Sequence, residues 1–295
     1  RRDLCIMNFF VAKLKNDRTR SIILMAIAAV LWSTGGLMLK SLPLNPLAAA
    51  GSRSLIAALL MLAIIKKPSL KFNRYKLGSA IAYTGTMVLY IAANHITTAA
   101  NAIMLQYTAP IYVALLSAWF LNERTTALDW IATLMTVGGM FLFFMGDLSA
   151  GAMTGNIYAM LSGVFYAFTV MLLRKQKDGS TLELVFWGNL LTAIVGLPFL
   201  YGSLLDARSI IILFLLGFQI GFPYILYSYA IKHVSALEAI LIPVLEPILN
   251  PVWVFLFIGD APSPRAFAGG FIVLTAIVGR SVIITLKKNI SRKNA

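Results

Sequence analysis

Glu246 sits among Pro243, Pro247 and Pro251, deep in the apolar run 235–257. Asn250 and Trp253 follow at i+4 and i+7, on one face of a helix. A carboxylate, an amide and an indole on one face suit an amine or ammonium group. A carboxyl in apolar surroundings can instead carry a proton. The prolines remove backbone donors and leave carbonyls unpaired, which hydrocarbon tolerates only beside protein or a water-filled cavity. The competing role for Glu246 is to hold its helix to a neighbour. Arg53 is the second deep charge, on a face with Ala49, Ile56 and Leu60. It can pair with Glu246 or take a carboxylate bidentately.

Polar and aromatic residues surround these charges in neighbouring runs. Tyr83, Met87, Tyr90 and Asn94 recur at i, i+4, i+7 and i+11; Tyr224 and Tyr227 follow Gln219; Asn101, Gln106 and Tyr107 share another run; Trp32 and Tyr166 stand in two more. Aromatic faces can hold a cation or a planar ring, although packing competes for the same residues. Glu238, one turn from a run's end, can more easily reach water, so holding its helix to a neighbour is its expected role rather than substrate contact. Arg280 is expected to extend towards the interface near Lys287. His95 and His233 fall at run ends, Cys5 is alone, and no metal-ligand spacing, nucleophile–base pair or phosphate loop is present. The expectation is therefore no catalytic residue, no metal, no cofactor and no enzyme.

The elements that position these residues follow from composition. Of 295 residues, 59% are hydrophobic and 12% charged, with mean hydropathy +0.83. Soluble domains carry about a quarter charged residues, so the chain belongs in a bilayer. A helix crosses the hydrocarbon with about 20 apolar residues. Such runs occur at 21–39, 44–65, 76–94, 98–120, 127–145, 154–173, 182–201, 208–230, 235–257 and 265–286, which makes ten transmembrane helices. The runs do not alternate as barrel strands do, so the fold class is an all-α integral membrane protein.

With the amino terminus in the cytoplasm, twenty Lys and Arg fall inside, clustered in the tails and in 66–76 and 174–177. Lys40, Arg208 and Arg265 fall outside. This bias places both termini in the cytoplasm; the expected location is a prokaryotic plasma (inner) membrane. The net charge of +14 then faces the anionic lipid of the cytoplasmic leaflet, not nucleic acid. The short apolar run Leu4 to Ala12 precedes Lys13 to Arg20 rather than a small-residue cleavage site. Residues 1–20 are therefore expected to be a cytoplasmic or interfacial tail, and 287–295 a basic one.

The chain also repeats itself. Shifted by 137 positions, Thr98–Glu123 lies on Ser235–Asp260, matching Ala99, Ala102, Ile103, Pro110, Ile111 and Phe120 with Ala236, Ala239, Ile240, Pro247, Ile248 and Phe257. Shifted by 134, Val30, Trp32 and Lys40 fall on Val164, Tyr166 and Arg174. Five runs per half is an odd number, so the second half is expected to be inverted, the usual construction of secondary transporters. Gly35-Gly36, Gly138-Gly139 and Gly269-Gly270 would allow close helix contacts.

Together, the five-plus-five pattern, Trp32, Pro46 with Arg53, Pro110 with Glu123, and Glu246-Pro247 resemble the drug/metabolite transporter superfamily in its ten-helix EamA branch. The resemblance covers Ser21 to Leu286 and implies repeats at 21–146 and 153–286. It also implies a central cavity lined by runs 1–4 and 6–9, with runs 5 and 10 outside it. The expected function is secondary active transport, by alternating access, of a small polar organic metabolite that is amino acid- or amine-like. Glu246 is the expected proton-coupling residue and proton the coupling ion. Substrate contacts are expected from Glu246, Asn250, Arg53, Trp32, Tyr83, Tyr90, Asn94, Gln106, Tyr107, Tyr166, Tyr224, Tyr227 and Trp253. Two alternatives stay open. One is an exchanger of anionic or nucleotide-linked solutes anchored by Arg53. The other is a scaffold or receptor, which would have a solid bundle around Glu246. Direction of transport and oligomeric state are not encoded in these patterns.

Overall fold

The computed structural model describes residues 17–35, 38, 42–148, 152–201, 205–258 and 263–293, with backbone alone at 251, 254, 257–258 and 288–293. Cys5, most of the amino-terminal tail, Gly36, Lys40 and the side chain of Pro251 lie outside this description. Among the described residues every regular element is helical. The helices are α1 (Asp17–Ser33), α2 (Pro46–Ile65), α3 (Arg74–Ile96), α4 (Ala99–Gln106), α5 (Ala109–Leu121), α6 (Ala127–Phe144), α7 (Met153–Lys175), α8 (Thr181–Gly196), α9 (Ala207–Ala230), α10 (Ala236–Leu241), α11 (Leu245–Ile258) and α12 (Pro264–Lys293). Among the described residues, seven segments are long and apolar enough to cross a membrane: Pro46–Ile65, Ala99–Leu121, Ala127–Phe144, Met153–Lys175, Thr181–Leu200, Ala207–Ala230 and Pro264–Lys287.

Local chemistry starts and breaks these helices. Asn45 caps α2 by accepting from the Leu47 N–H, with Pro46 in the first turn. Reciprocal capping boxes, Thr126 with Asp129 and Ser235 with Glu238, open α6 and α10. Run 98–120 is not one helix: it breaks after Gln106 and resumes at Ala109 with Pro110 in the next first turn. Run 235–257 breaks at the repeat-equivalent place, through a 3-10 turn at Ile242–Val244 that holds Pro243 and precedes Pro247. Run 182–201 likewise ends in a 3-10 turn, Leu197–Leu200, around Pro198. Proline cannot donate to the helical ladder and clashes with the turn before it, so each break falls where proline stands. The helices also overrun two expected tails: α1 begins at Asp17, and α12 continues through Lys293.

Helix contacts follow a two-fold rule that exchanges α1–α6 with α7–α12. α3 packs on α7 as α9 packs on α1, and α8 on α3 as α2 on α9; α2 pairs with α8 and α6 with α12. The buried faces are rich in Ala, Ser, Thr and Gly, while Phe267, Phe271 and Leu59 stand exposed on the outside, as expected where lipid is the solvent. The α6–α12 crossing rests on Gly139 and Gly269. A Cβ on Gly269 would come 2.5 Å from the Gly139 carbonyl oxygen and from the Phe143 nitrogen. Neither backbone group can yield without shifting its helix, so Gly269→Val should destabilise the protein by about 1–3 kcal/mol. Thermal unfolding of the purified variant in detergent measures this.

One end of the bundle is tied by ion pairs. Arg18 at the start of α1 pairs with Glu238. Arg280 pairs with Asp129 at 2.6 Å, Lys76 with Glu183 at 2.5 Å, and Arg174 with Glu123 at 2.7 Å. All four join the first half of the chain to the second. A fifth pair, Arg280 with Glu238 at 3.4 Å, links two of them. Two expectations are corrected here. Glu238 is 4% exposed and Arg280 5%, so neither reaches water or the interface. Each meets its partners inside the bundle, because carboxylates and guanidinium groups from α1, α6, α10 and α12 converge there.

Candidate functional site

The two broken helices face each other across a cavity of about 180 Å³. Its lining comes from α1 (Trp32, with Gly35 beyond its end), α2 (Arg53), α3 (Thr86, Met87, Tyr90), α4 (Ile103, Gln106) with Tyr107 at the break, α7 (Tyr166), α9 (Gln219, Ile220, Tyr224) and α11 (Glu246, Pro247, Asn250). Run 182–201 supplies no lining residue, which narrows the expected set of cavity helices, while α6 and α12 pack on each other outside it.

Arg53 and Glu246 share the cavity without pairing. No carboxylate among the described residues comes within 4.0 Å of the Arg53 guanidinium. Arg53 Nη2 instead meets Met87 Sδ at 3.9 Å, and its Nε is buried without a partner. Glu246 Oε2 accepts from Tyr107 Oη at 3.2 Å. A guanidinium held by a thioether and a carboxylate held by one phenol are both under-satisfied for groups that cost several kcal/mol to desolvate. Each keeps hydrogen-bonding capacity directed at the cavity.

Aromatic rings line the wall. Trp32 lies 4.8 Å from Tyr224, Tyr83 stands edge-on to Tyr224 at 5.2 Å, and Tyr107 edge-on to Tyr166 at 6.4 Å. Gln106 Nε2 donates to Ser162 Oγ at 2.7 Å, tying α4 to α7. Gln219 Nε2 donates to the carbonyls of Leu31 and Trp32 at 2.9 and 2.8 Å, adding a donor to the last carbonyls of α1. Gly35 makes room for it: a Cβ there would fall 2.8 Å from Gln219 Nε2.

Of the thirteen residues expected at the site, nine line the cavity: Glu246, Asn250, Arg53, Trp32, Tyr90, Gln106, Tyr107, Tyr166 and Tyr224. The other four are placed elsewhere. Tyr83 donates to Asn189 Oδ1 at 3.1 Å behind Tyr224, and Tyr227 donates to the Ala239 carbonyl at 2.9 Å. Asn94 turns back onto the Tyr90 carbonyl at 3.0 Å, and Trp253 donates to Ser33 Oγ at 2.7 Å, pinning α11 to α1. Thr86 also lines the cavity and was not expected there, and Gln219, noted beside Tyr224 but left out of the thirteen, lines it too. The available signal was a polar side chain, Gln219, in an otherwise apolar run.

Comparison with known proteins places this geometry in context. The model of the EamA-like transporter family matches residues 19–145 and 153–282, once per half. An uncharacterized transporter of Archaeoglobus fulgidus is 25% identical over 85% of this chain and 93% of its own length. The pseudopaline exporter CntI of Pseudomonas aeruginosa is 24% identical over 78% and 84%. An S-adenosylmethionine uptake transporter of Rickettsia bellii is 22% identical over 65% and 66%. A protein of known crystal structure superposes with a TM-score of 0.78 at 15% identity, covering 90% of this chain and 98% of that one; the likeness is one of fold.

Proposed function

This chain belongs to the EamA-like transporter family and is a multi-pass integral membrane protein, and on that premise we propose that it moves a small amino acid- or amine-like metabolite by alternating access, coupled to protons. The observation that carries the reading is a cavity holding one cation, Arg53, and one carboxylate, Glu246, that do not neutralise each other by contact. A zwitterion satisfies both: its carboxylate meets the guanidinium fork and its ammonium meets Glu246 and the aromatic wall. A purely anionic solute would leave Glu246 facing like charge, so the lining favours the zwitterion over the anion exchanger. A cavity beside Glu246 also weighs against a scaffold. At about 180 Å³ it is smaller than the roughly 300–1,000 Å³ of drug-sized ligand clefts, in keeping with a small solute.

The proposed topology has ten crossings, with α4–α5 and α10–α11 each forming one interrupted crossing. The second half is inverted, and both termini are cytoplasmic. Under it the repeats span 21–146 and 153–286. Discontinuous crossings meeting at mid-membrane are where transporters of inverted-repeat design place substrate. Glu246 lies eight residues beyond Glu238, roughly 12 Å along the axis. The ion-paired end is then the cytoplasmic one, closed in this state, and the cavity is reached from outside.

Uptake into liposomes tests this. Labelled zwitterionic amino acids should accumulate under an imposed proton gradient and be displaced by other zwitterions, but not by the matching decarboxylated amines or deaminated acids alone. Arg53→Met, close in length and unable to bind a carboxylate, should raise KM for the zwitterion by roughly 10–150-fold, since hydrogen bonds to charged groups contribute about 1.5–3 kcal/mol. A substrate set made only of amines, or an Arg53→Met carrier with unchanged KM, would overturn the zwitterion assignment.

A further inference from the structure

A second concavity lies on the outer wall, away from the transport cavity. It is a groove of about 400 Å³ between α3, α5 and α7, lined by Arg74, Tyr75, Trp119, Phe120, Leu172 and Lys175. Its two cations differ from their neighbours in sequence. Lys76 has Glu183 and Arg174 has Glu123 as ion-pair partners. Arg74 and Lys175 have no carboxylate within 4.0 Å among the described residues. Arg74 donates to Tyr75 Oη at 3.0 Å and lies 4.9 Å from that ring's centroid, while Lys175 Nζ donates to the Phe120 carbonyl at 2.9 Å. Both cations keep donors to spare.

Below the cations the wall turns apolar and open. Trp119 is 81% exposed, and Leu115, one turn before it, is 58% exposed. Leu77 and Ile81 follow Arg74 at i+3 and i+7 on the same helix face, and both are exposed. A pair of unneutralised cations, a Trp at the polar boundary and an apolar strip running from them into the hydrocarbon match the parts of one molecule. We propose that this groove binds an anionic phospholipid. Arg74 and Lys175 hold its phosphate, the Trp119 indole sits at headgroup level, and an acyl chain lies along Leu115, Leu77 and Ile81. Indole rings gather at that level in membrane proteins, and basic pockets between membrane helices take anionic headgroups. The occupant joins a helix of the first half to a helix of the second, on the outside of the bundle.

Native mass spectrometry of the full-length protein, delipidated and titrated with phosphatidylglycerol or phosphatidylcholine, tests the site. The expected result is one phosphatidylglycerol retained in preference to phosphatidylcholine. The Arg74→Ala/Lys175→Ala double variant should hold it roughly thirtyfold more weakly. Arg74→Lys/Lys175→Arg should restore it, and Lys67→Ala/Lys287→Ala, which removes two exposed cations elsewhere, should leave it unchanged. Equal retention by wild type and the Arg74→Ala/Lys175→Ala variant would overturn the proposal, as would equal retention of the two lipids. Displacement of the lipid by inorganic phosphate at matched concentration would reassign the groove to free phosphate.

Discussion

Glu246→Gln should abolish the pH dependence of transport and raise KM for an amino acid- or amine-like substrate by roughly 10–150-fold. The amide keeps the shape of the carboxylate and can still accept from Tyr107 Oη, so the helix break at Ile242–Val244 and the packing of α11 should persist. What disappears is the negative charge facing the cavity. A substrate ammonium then loses a charge-assisted partner worth about 1.5–3 kcal/mol. Arg53, the only cation lining the cavity among the described residues, loses the nearby opposite charge that offsets its burial. Flux into liposomes measured across a pH series, at saturating and sub-saturating substrate, separates the two consequences. Loss of pH dependence with KM unchanged would leave Glu246 a proton carrier without substrate contact. Unchanged KM and unchanged pH dependence together would remove it from the site.

The class of fold was legible because lipid imposes it. Apolar runs of about 20 residues leave few alternatives to a helix, and the cation bias that orders them is a property of the sequence itself. The breaks at Tyr107 and Ile242–Val244 were legible only in part. Pro110, Pro243 and Pro247 announced them, but Pro223 stands inside α9 without interrupting it. Whether proline breaks a helix or is absorbed depends on neighbours that can take up the freed carbonyl, and sequence does not specify those.

The charges were the easiest site residues to find, and the aromatics the least certain. A buried Arg or Glu in hydrocarbon has few reasons to exist, so Arg53 and Glu246 stood out from composition. Tyr83, Tyr224 and Tyr227 satisfy the same periodicity rule, yet only Tyr224 reaches the cavity. The other two spend their hydroxyls on Asn189 and on the Ala239 carbonyl. Helical spacing fixes which face a ring occupies, not how far along that face the cavity extends. The same limit misplaced Glu238 and Arg280, whose depth suggested water or the interface and whose nearest ion-pair partners, Arg18 and Asp129, lie on helices in the other half of the chain.

Glu238→Ala should be the most damaging substitution outside the cavity, lowering stability by about 3–5 kcal/mol. Its carboxylate accepts from Arg18 and from the Ser235 N–H, and stands 3.4 Å from an Arg280 nitrogen. Arg18 also donates to Thr285 Oγ1 at 2.6 Å, so one acidic side chain ties the starts of α1 and α10 to the later part of α12. Deleting it takes away the carboxylate that two buried guanidinium groups share and the Glu238 half of the capping box that opens α10. Asp129 still answers Arg280, so the loss falls on the contact that Glu238 makes between the halves. Thermal unfolding in detergent gives the loss. An Arg18→Met/Glu238→Met pair, which replaces the ions with apolar groups of similar length, should recover much of it, because removing both members of a buried pair costs far less than stranding one. These contacts join the halves at the end that the proposed alternating access would open. The paired variant should therefore regain stability while spending more of its time open at the ion-paired end. Solvent labelling of a cysteine placed at Ala239, 0% exposed here, reads that out, and labelling no faster than in an otherwise wild-type background would show that these ion pairs hold the fold without gating the cavity.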